Sequence, residues 1–122
     1  MLLLLLLPLA AQDFYYQGGK KVWLNPLQKA PSFQGSNLRY YHDSAGREIA
    51  VKDEILLQLK EGVALDDLLK EYKLILLKNL GDRIYLLKTS DAQNLFKTAA
   101  ALYEDKRTLF AQPNIRKKWY LR

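Results

Sequence analysis

EILLQLKEGVALDDLLKEY, residues 54–72, is the stretch whose reading decides the fold. Its first part, 54–60, is a short run rich in Ile and Leu closed by Glu61 and Gly62, which reads as a strand buried on at least one face. The period then changes. Leu65, Leu68, Leu69 and Tyr72 fall at i, i+3, i+4 and i+7, one stripe of a helix. Asp66 and Asp67 stand in its first turn, where carboxylates favour the positive end of the helix dipole.

Downstream the alternation repeats. Apolar runs at 74–77 and 84–87 flank the polar, glycine-containing 78–83 and predict a hairpin. Ser90 and Gln93 have the spacing of a capping box, in which the Ser oxygen accepts from the backbone and Gln reaches back. They predict a second helix with Ala92, Leu95, Phe96, Ala99, Leu102 and Tyr103 on its inner face. A last strand, 108–112, stops at Pro113, which cannot donate to a ladder. The order strand, helix, strand, strand, helix, strand, with right-handed crossovers, predicts an α+β fold: a ferredoxin-like βαββαβ sandwich, an open antiparallel sheet with two helices on one face. Leu57, Leu69, Leu86 and Phe96 are expected in its core.

Upstream, Gly18 and Gly19 separate 14–16 from 21–24, and Ser44 and Gly46 lie between 38–41 and 48–51. Two hairpins are expected there, because glycine supplies the positive φ of tight turns. The Pro- and Gly-containing 25–37 joins them as an irregular connection. At the very start Met1 is followed by six leucines, then Pro8, Leu9, Ala10 and Ala11. An apolar run ending in small residues is the pattern of a secretory signal, and it is far shorter than the ~20 apolar residues of a membrane-spanning helix. The expected organisation is a signal segment at 1–11, an N-terminal β-hairpin extension at 12–52, the ferredoxin-like body at 53–115 and a tail at 116–122. Export to a periplasmic or extracellular location follows, with no membrane attachment after signal removal.

The 122 residues suit a single domain, and 49% hydrophobic composition supplies a core. With no Cys, disulfides, thiolate zinc sites and thiol nucleophiles are excluded, and one histidine, His42, leaves no multi-His metal site. No metal and no cofactor is expected. His42, Asp43 and Ser44 are adjacent in sequence, whereas catalytic triads are assembled from separated segments, so an exposed turn histidine is the reading. The paired carboxylates Asp66–Asp67 and Glu104–Asp105 sit at helix ends, where charge is ordinarily solvated. The net charge of +6 raises RNA recognition, which in this topology places aromatics on the third strand with a Lys/Arg-Gly-aromatic pattern. Residues 82–88 hold one aromatic, Tyr85, and no glycine, so no nucleic-acid partner is expected.

Three stretches carry a resemblance: 52–63, KDEILLQLKEGV; 80–88, LGDRIYLLK; and 110–114, FAQPN. In order and spacing they resemble the N-terminal prodomains of subtilisin-like serine proteases, of the fervidolysin-like type, and Tyr15, Tyr16 and the segment to Leu24 are similar to the N-terminal hairpin of that subgroup. The last stretch is similar to the A-E-P-N signature that ends such prodomains, with Gln112 in place of the Glu. The resemblance implies an inhibitor and folding chaperone whose partner is the catalytic domain of a subtilisin-like serine protease. Its open sheet face would pack on the protease, and the tail would run through the substrate cleft as an added strand. Asn114, Ile115, Trp119, Tyr120, Leu121 and Arg122 would form the protease-binding tail, and Gln112 with Asn114 would cap a partner helix. The chain itself is expected not to be an enzyme, since it lacks the protease's catalytic motifs. The alternatives are a secreted ferredoxin-like binding module with an unrelated partner and, behind it, an RNA-binding domain.

Overall fold

The computed structural model describes residues 12–26 and 38–117. Within them the chain is α+β, with two α-helices and two antiparallel sheets. The hairpins come first. Strands β1 (Phe14–Gln17) and β2 (Lys20–Pro26) turn at Gly18 and Gly19, whose φ of 59° and 79° give the two positive values of a type I′ turn. Strands β3 (Arg39–Asp43) and β4 (Glu48–Val51) form the second hairpin. Asp43, 3% exposed, holds its turn by accepting from the amides of Ala45 and Arg47 at 3.0 and 2.9 Å and from the Arg47 guanidinium at 3.1 Å. Burial pushes the Asp43 carboxyl up, and those three donors outweigh it and leave it below the usual carboxylate range.

Only Lys52 and Asp53 separate β4 from β5 (Glu54–Leu59), so the chain passes from one sheet to the other at a corner. The expected strand and helix of 54–72 follow, with α1 (Leu65–Tyr72) closing at Lys73 in a left-handed conformation, φ 56°. β6 (Leu74–Gly81) then pairs with β7 (Ile84–Thr89). Here the structure differs from the sequence reading: β6 runs on through 78–81, and the turn is just Asp82 and Arg83, both at positive φ without being glycine. Left-handed backbone costs about 1–2 kcal/mol for such residues. Neighbouring bonds offset it, from the Gln58 amide to the Asp82 carbonyl at 2.9 Å and from Arg83 Nε to the Leu59 carbonyl at 3.1 Å.

The expected capping box does not form. Thr89 Oγ1 accepts from the Asp91 amide, and the Asp91 carboxylate accepts from the Asn94 side chain at 2.6 Å. The chain therefore makes a 3-10 turn over Ala92–Asn94 before α2 (Leu95–Glu104), and Ala92 is exposed rather than inward. β8 (Thr108–Pro113) returns beside β5, and β9 (Arg116–Lys117) pairs with β4. One sheet has the order β1-β2-β3-β4-β9 and the other β6-β7-β5-β8.

A single buried cluster serves both sheets: Tyr15, Leu24 and Ile49 from the hairpins, Ile55, Leu57 and Leu59 from β5, Leu68 from α1, and Leu95, Phe96 and Leu102 from α2. Leu69 packs against it half-buried. Leu86 is not in it. Leu87 is the buried apolar residue of β7, and Leu86, one position away, projects to the other side of the pleat. A polar clamp ties the ends of the helices: Arg107 donates to Asp105 at 2.9 and 2.7 Å and to Glu71 at 2.9 Å, and the Tyr72 hydroxyl donates to Asp105 at 2.9 Å. The bonds from Arg107 hold the Asp105 carboxyl well below its usual range, against a smaller effect of burial. Among the described residues every buried side-chain nitrogen and oxygen has a hydrogen-bond partner, and no helix is long and apolar enough to cross a membrane.

Candidate functional site

Strand β5 is central in the four-stranded sheet, and its burial alternates: Ile55, Leu57 and Leu59 are sealed under the helices, while Glu54, Leu56 and Gln58 are half-buried on the other face. The ladders extend that second face sideways in rows. Leu56 stands opposite Leu86 on one side and Gln112 on the other; Gln58 stands opposite Ile84 and Phe110; Glu54 stands opposite Lys88, which in turn faces Ile75 on β6. Among the described residues no helix packs on these rows, since the inward faces of α1 and α2 join the cluster on the opposite side. Leu56, Ile84, Leu86 and Phe110 remain partly exposed, and Ile75 is 57% exposed. An apolar strip rimmed by Lys78, Lys88, Glu54 and Gln112 is the chemistry of a protein-docking surface.

Two of the sequence-predicted site residues lie here. Gln112 joins the row of Leu56 and Leu86. Asn114 continues the row of Glu54, its amide donating to the Glu54 carbonyl at 2.8 Å and its side chain to Glu54 Oε1 at 3.0 Å. Ile115 instead packs against the core, and the following Arg116 and Lys117 are paired to Ala50 and Ile49. The first part of the expected tail is thus fastened to the body, and Trp119, Tyr120, Leu121 and Arg122 lie outside the described residues. Leu56, Ile84, Leu86 and Phe110 were not singled out as surface residues from sequence; the alternation of β5 carried the signal, but 84–87 is apolar on both sides of the pleat and hides it.

The remaining candidates have structural partners. His42 is half-buried within β3, opposite Glu48, rather than in the exposed turn expected of it. Glu104 accepts from the Tyr16 hydroxyl at 2.8 Å, and Asp105 is in the Arg107 clamp. Tyr85 pairs with Leu57 and so belongs to the helix-covered side of β7, which leaves no ring of that strand on the open face. Burial, followed by the Asp43 charge, pushes the Tyr15 hydroxyl up, and burial does the same to Tyr41 and Tyr72. Among the described residues no three His, Cys, Asp or Glu side chains gather where they could hold a metal ion. Comparison with family models, curated proteins and solved structures finds no match for this chain.

Proposed function

We propose that the chain is a prodomain-like module that inhibits, and assists the folding of, a subtilisin-like serine protease, acting on the enzyme rather than as one. The observation that carries this reading is the place of Gln112 and Asn114, the end of the stretch that resembles the prodomain signature: both share the uncovered apolar face of the four-stranded sheet with Leu56 and Leu86. After Asn114 the chain is fastened through Ile115 and β9 to the core and to β4, and the segment assigned to the substrate cleft, Trp119–Arg122, follows it in sequence. The same reading makes 54–113 a ferredoxin-like βαββαβ unit. In chain order its strands are β5, β6, β7 and β8, and the sheet order β6-β7-β5-β8 is second, third, first, fourth, which supports it. Export through the leucine-rich start accords with a secreted protease as partner.

The body supplies most of the docking area, and the tail supplies the block. Titrating the activity of a purified subtilisin-like catalytic domain with the full chain, with a chain lacking 119–122 and with Gln112→Glu separates the two. The full chain inhibits, the truncation inhibits far less while melting like the parent, since a terminal tail adds little to a core, and Gln112→Glu binds modestly tighter. A full chain that at about micromolar concentration, a ΔG near −8 kcal/mol, neither inhibits nor speeds refolding of such a domain transfers the open face to an unrelated partner.

A further inference from the structure

One edge of the four-stranded sheet is strand β6, which pairs with β7 alone. Along its other side, among the described residues, the backbone N–H and C=O groups meet no strand; the Gly81 amide is bonded instead to Asn79 Oδ1 at 2.9 Å. The strand has eight residues, and from Ile75 to Gly81 every one of them is exposed. It is apolar on both sides of the pleat: Ile75, opposite Lys88, lies on the open face, and Leu76, opposite Leu87, lies on the helix side. Leu76, Leu77 and Leu80 are 43%, 44% and 47% exposed. An open, apolar edge strand is a template for pairing with another strand.

The charges at the two ends select which strand. Lys73 stands immediately before β6 and Asp82 immediately after it, both exposed, and neither side chain joins an ion pair among the described residues. Arg83, next to Asp82, is turned the other way: its Nε bonds to the Leu59 carbonyl on β5, across β7 from this edge. Apart from Lys78, β6 is therefore basic at its start, apolar or neutral along its length and acidic at its end. A strand of the same polarity laid parallel would set like charges together. Laid antiparallel, it sets opposite charges together at both ends.

We propose that β6 pairs antiparallel with β6 of a second copy, joining two four-stranded sheets into one about a two-fold axis. At full overlap of 74–81, Lys73 faces Asp82 of the second copy and Ile75 faces its Leu80, each contact occurring twice, as an isologous interface requires. Ile75, Leu76, Leu77 and Leu80, each near half exposed, present on the order of 400 Å2 per copy, the size of patch that marks an interaction site. Both copies together with the backbone strip reach roughly 1,000 Å2, the lower end of specific interfaces. β6 also carries Lys78 and register shifts at 76–78 and 79–81, features with which edges limit pairing. At full overlap Lys78 lies opposite Leu77 rather than opposite itself, and its ammonium extends past that side chain into water. Because each copy uses its β6 on the other, the assembly closes at two. The two-fold axis, normal to the sheet, leaves the open face uncovered in both copies, and the pairing stands without the proposed protease.

Sedimentation velocity of the full chain tests the pairing, with hydrogen exchange of the 74–81 amides followed on the same samples. A reversible monomer–dimer equilibrium with a Kd of roughly 10–100 μM is expected, as for an interface at the small end of the range, and the amides of β6 should exchange more slowly as concentration rises. Leu77→Lys, which sets a second lysine against Lys78, should weaken dimerisation about tenfold or more at an unchanged thermal midpoint. Lys73→Asp should weaken it several-fold, and Lys73→Asp combined with Asp82→Lys, which reverses both ends, should restore it; if the double variant unfolds, Leu77→Lys decides alone. A chain still monomeric at about 300 μM, association untouched by Leu77→Lys, or a folded double variant no better than Lys73→Asp overturns the proposal.

Discussion

The two faces of the four-stranded sheet are built from the same residue types and put to different uses. On β5, Leu57 and Leu56 are neighbours, yet Leu57 is fully buried in the core cluster while Leu56 sits half-buried in a row with Leu86 and Gln112 on the other face. Hydrophobicity alone does not tell them apart. Coverage does: the helices bury one side of the pleat, and the apolar side chains on the other side have no partner layer among the described residues. The lesson is that one face folds the protein and the other is available to hold something else.

The largest expected effect lies on the covered face. Leu57→Ala should cost about 2–5 kcal/mol in urea unfolding, because an enclosed leucine leaves a cavity that the surroundings fill incompletely. Asp43→Ala comes next, at about 1–3 kcal/mol, since it removes the charge-assisted bonds that this buried carboxylate accepts from the amides of Ala45 and Arg47 and from the Arg47 guanidinium across an exposed turn. Leu56→Ala, the direct counterpart of Leu57, should cost about 1 kcal/mol or less, as for a side chain that still meets water. A loss equal to that of Leu57→Ala would erase the distinction between the faces.

The smallest effect is a pH dependence. Asp105 has a folded pKa below its unfolded value near 3.8, so its contribution to stability is fully present above that value and is lost as pH falls through the folded pKa. Thermal midpoints of the parent should therefore fall as pH drops below about 4. In Asp105→Asn the midpoint should start lower at neutral pH and fall less steeply in acid; parallel pH profiles would show that the Arg107 clamp does not operate.

Much of this arrangement is written in local patterns. The stripe Leu65, Leu68, Leu69, Tyr72 has one period and one interpretation, and Gly18-Gly19 marks its turn with the residues that tolerate it. What escaped had competing local chemistry or none. Ile84–Leu87 is apolar at every position, so only the pairing with β5 decides that Leu87 is inward and Leu86 outward. Asp82 and Arg83 turn the chain without glycine because bonds from Gln58 and Arg83 to distant carbonyls hold them. Ser90 lost its cap role to Thr89 and Asp91, and β9, two basic residues, has no apolar signature at all. Of the candidate site, Gln112 and Asn114 were legible, while the apolar rows they join exist only once strands distant in sequence are aligned.

The most direct test of the division between faces is a paired measurement on one variant, Leu56→Ser with Leu86→Ser, in which urea unfolding and inhibition of a subtilisin-like catalytic domain are read on the same preparation. The account predicts stability within about 1–2 kcal/mol of the parent together with inhibition weakened about tenfold or more, ~1.4 kcal/mol of binding. Undiminished inhibition, or a loss of stability as large as that of Leu57→Ala, would contradict it.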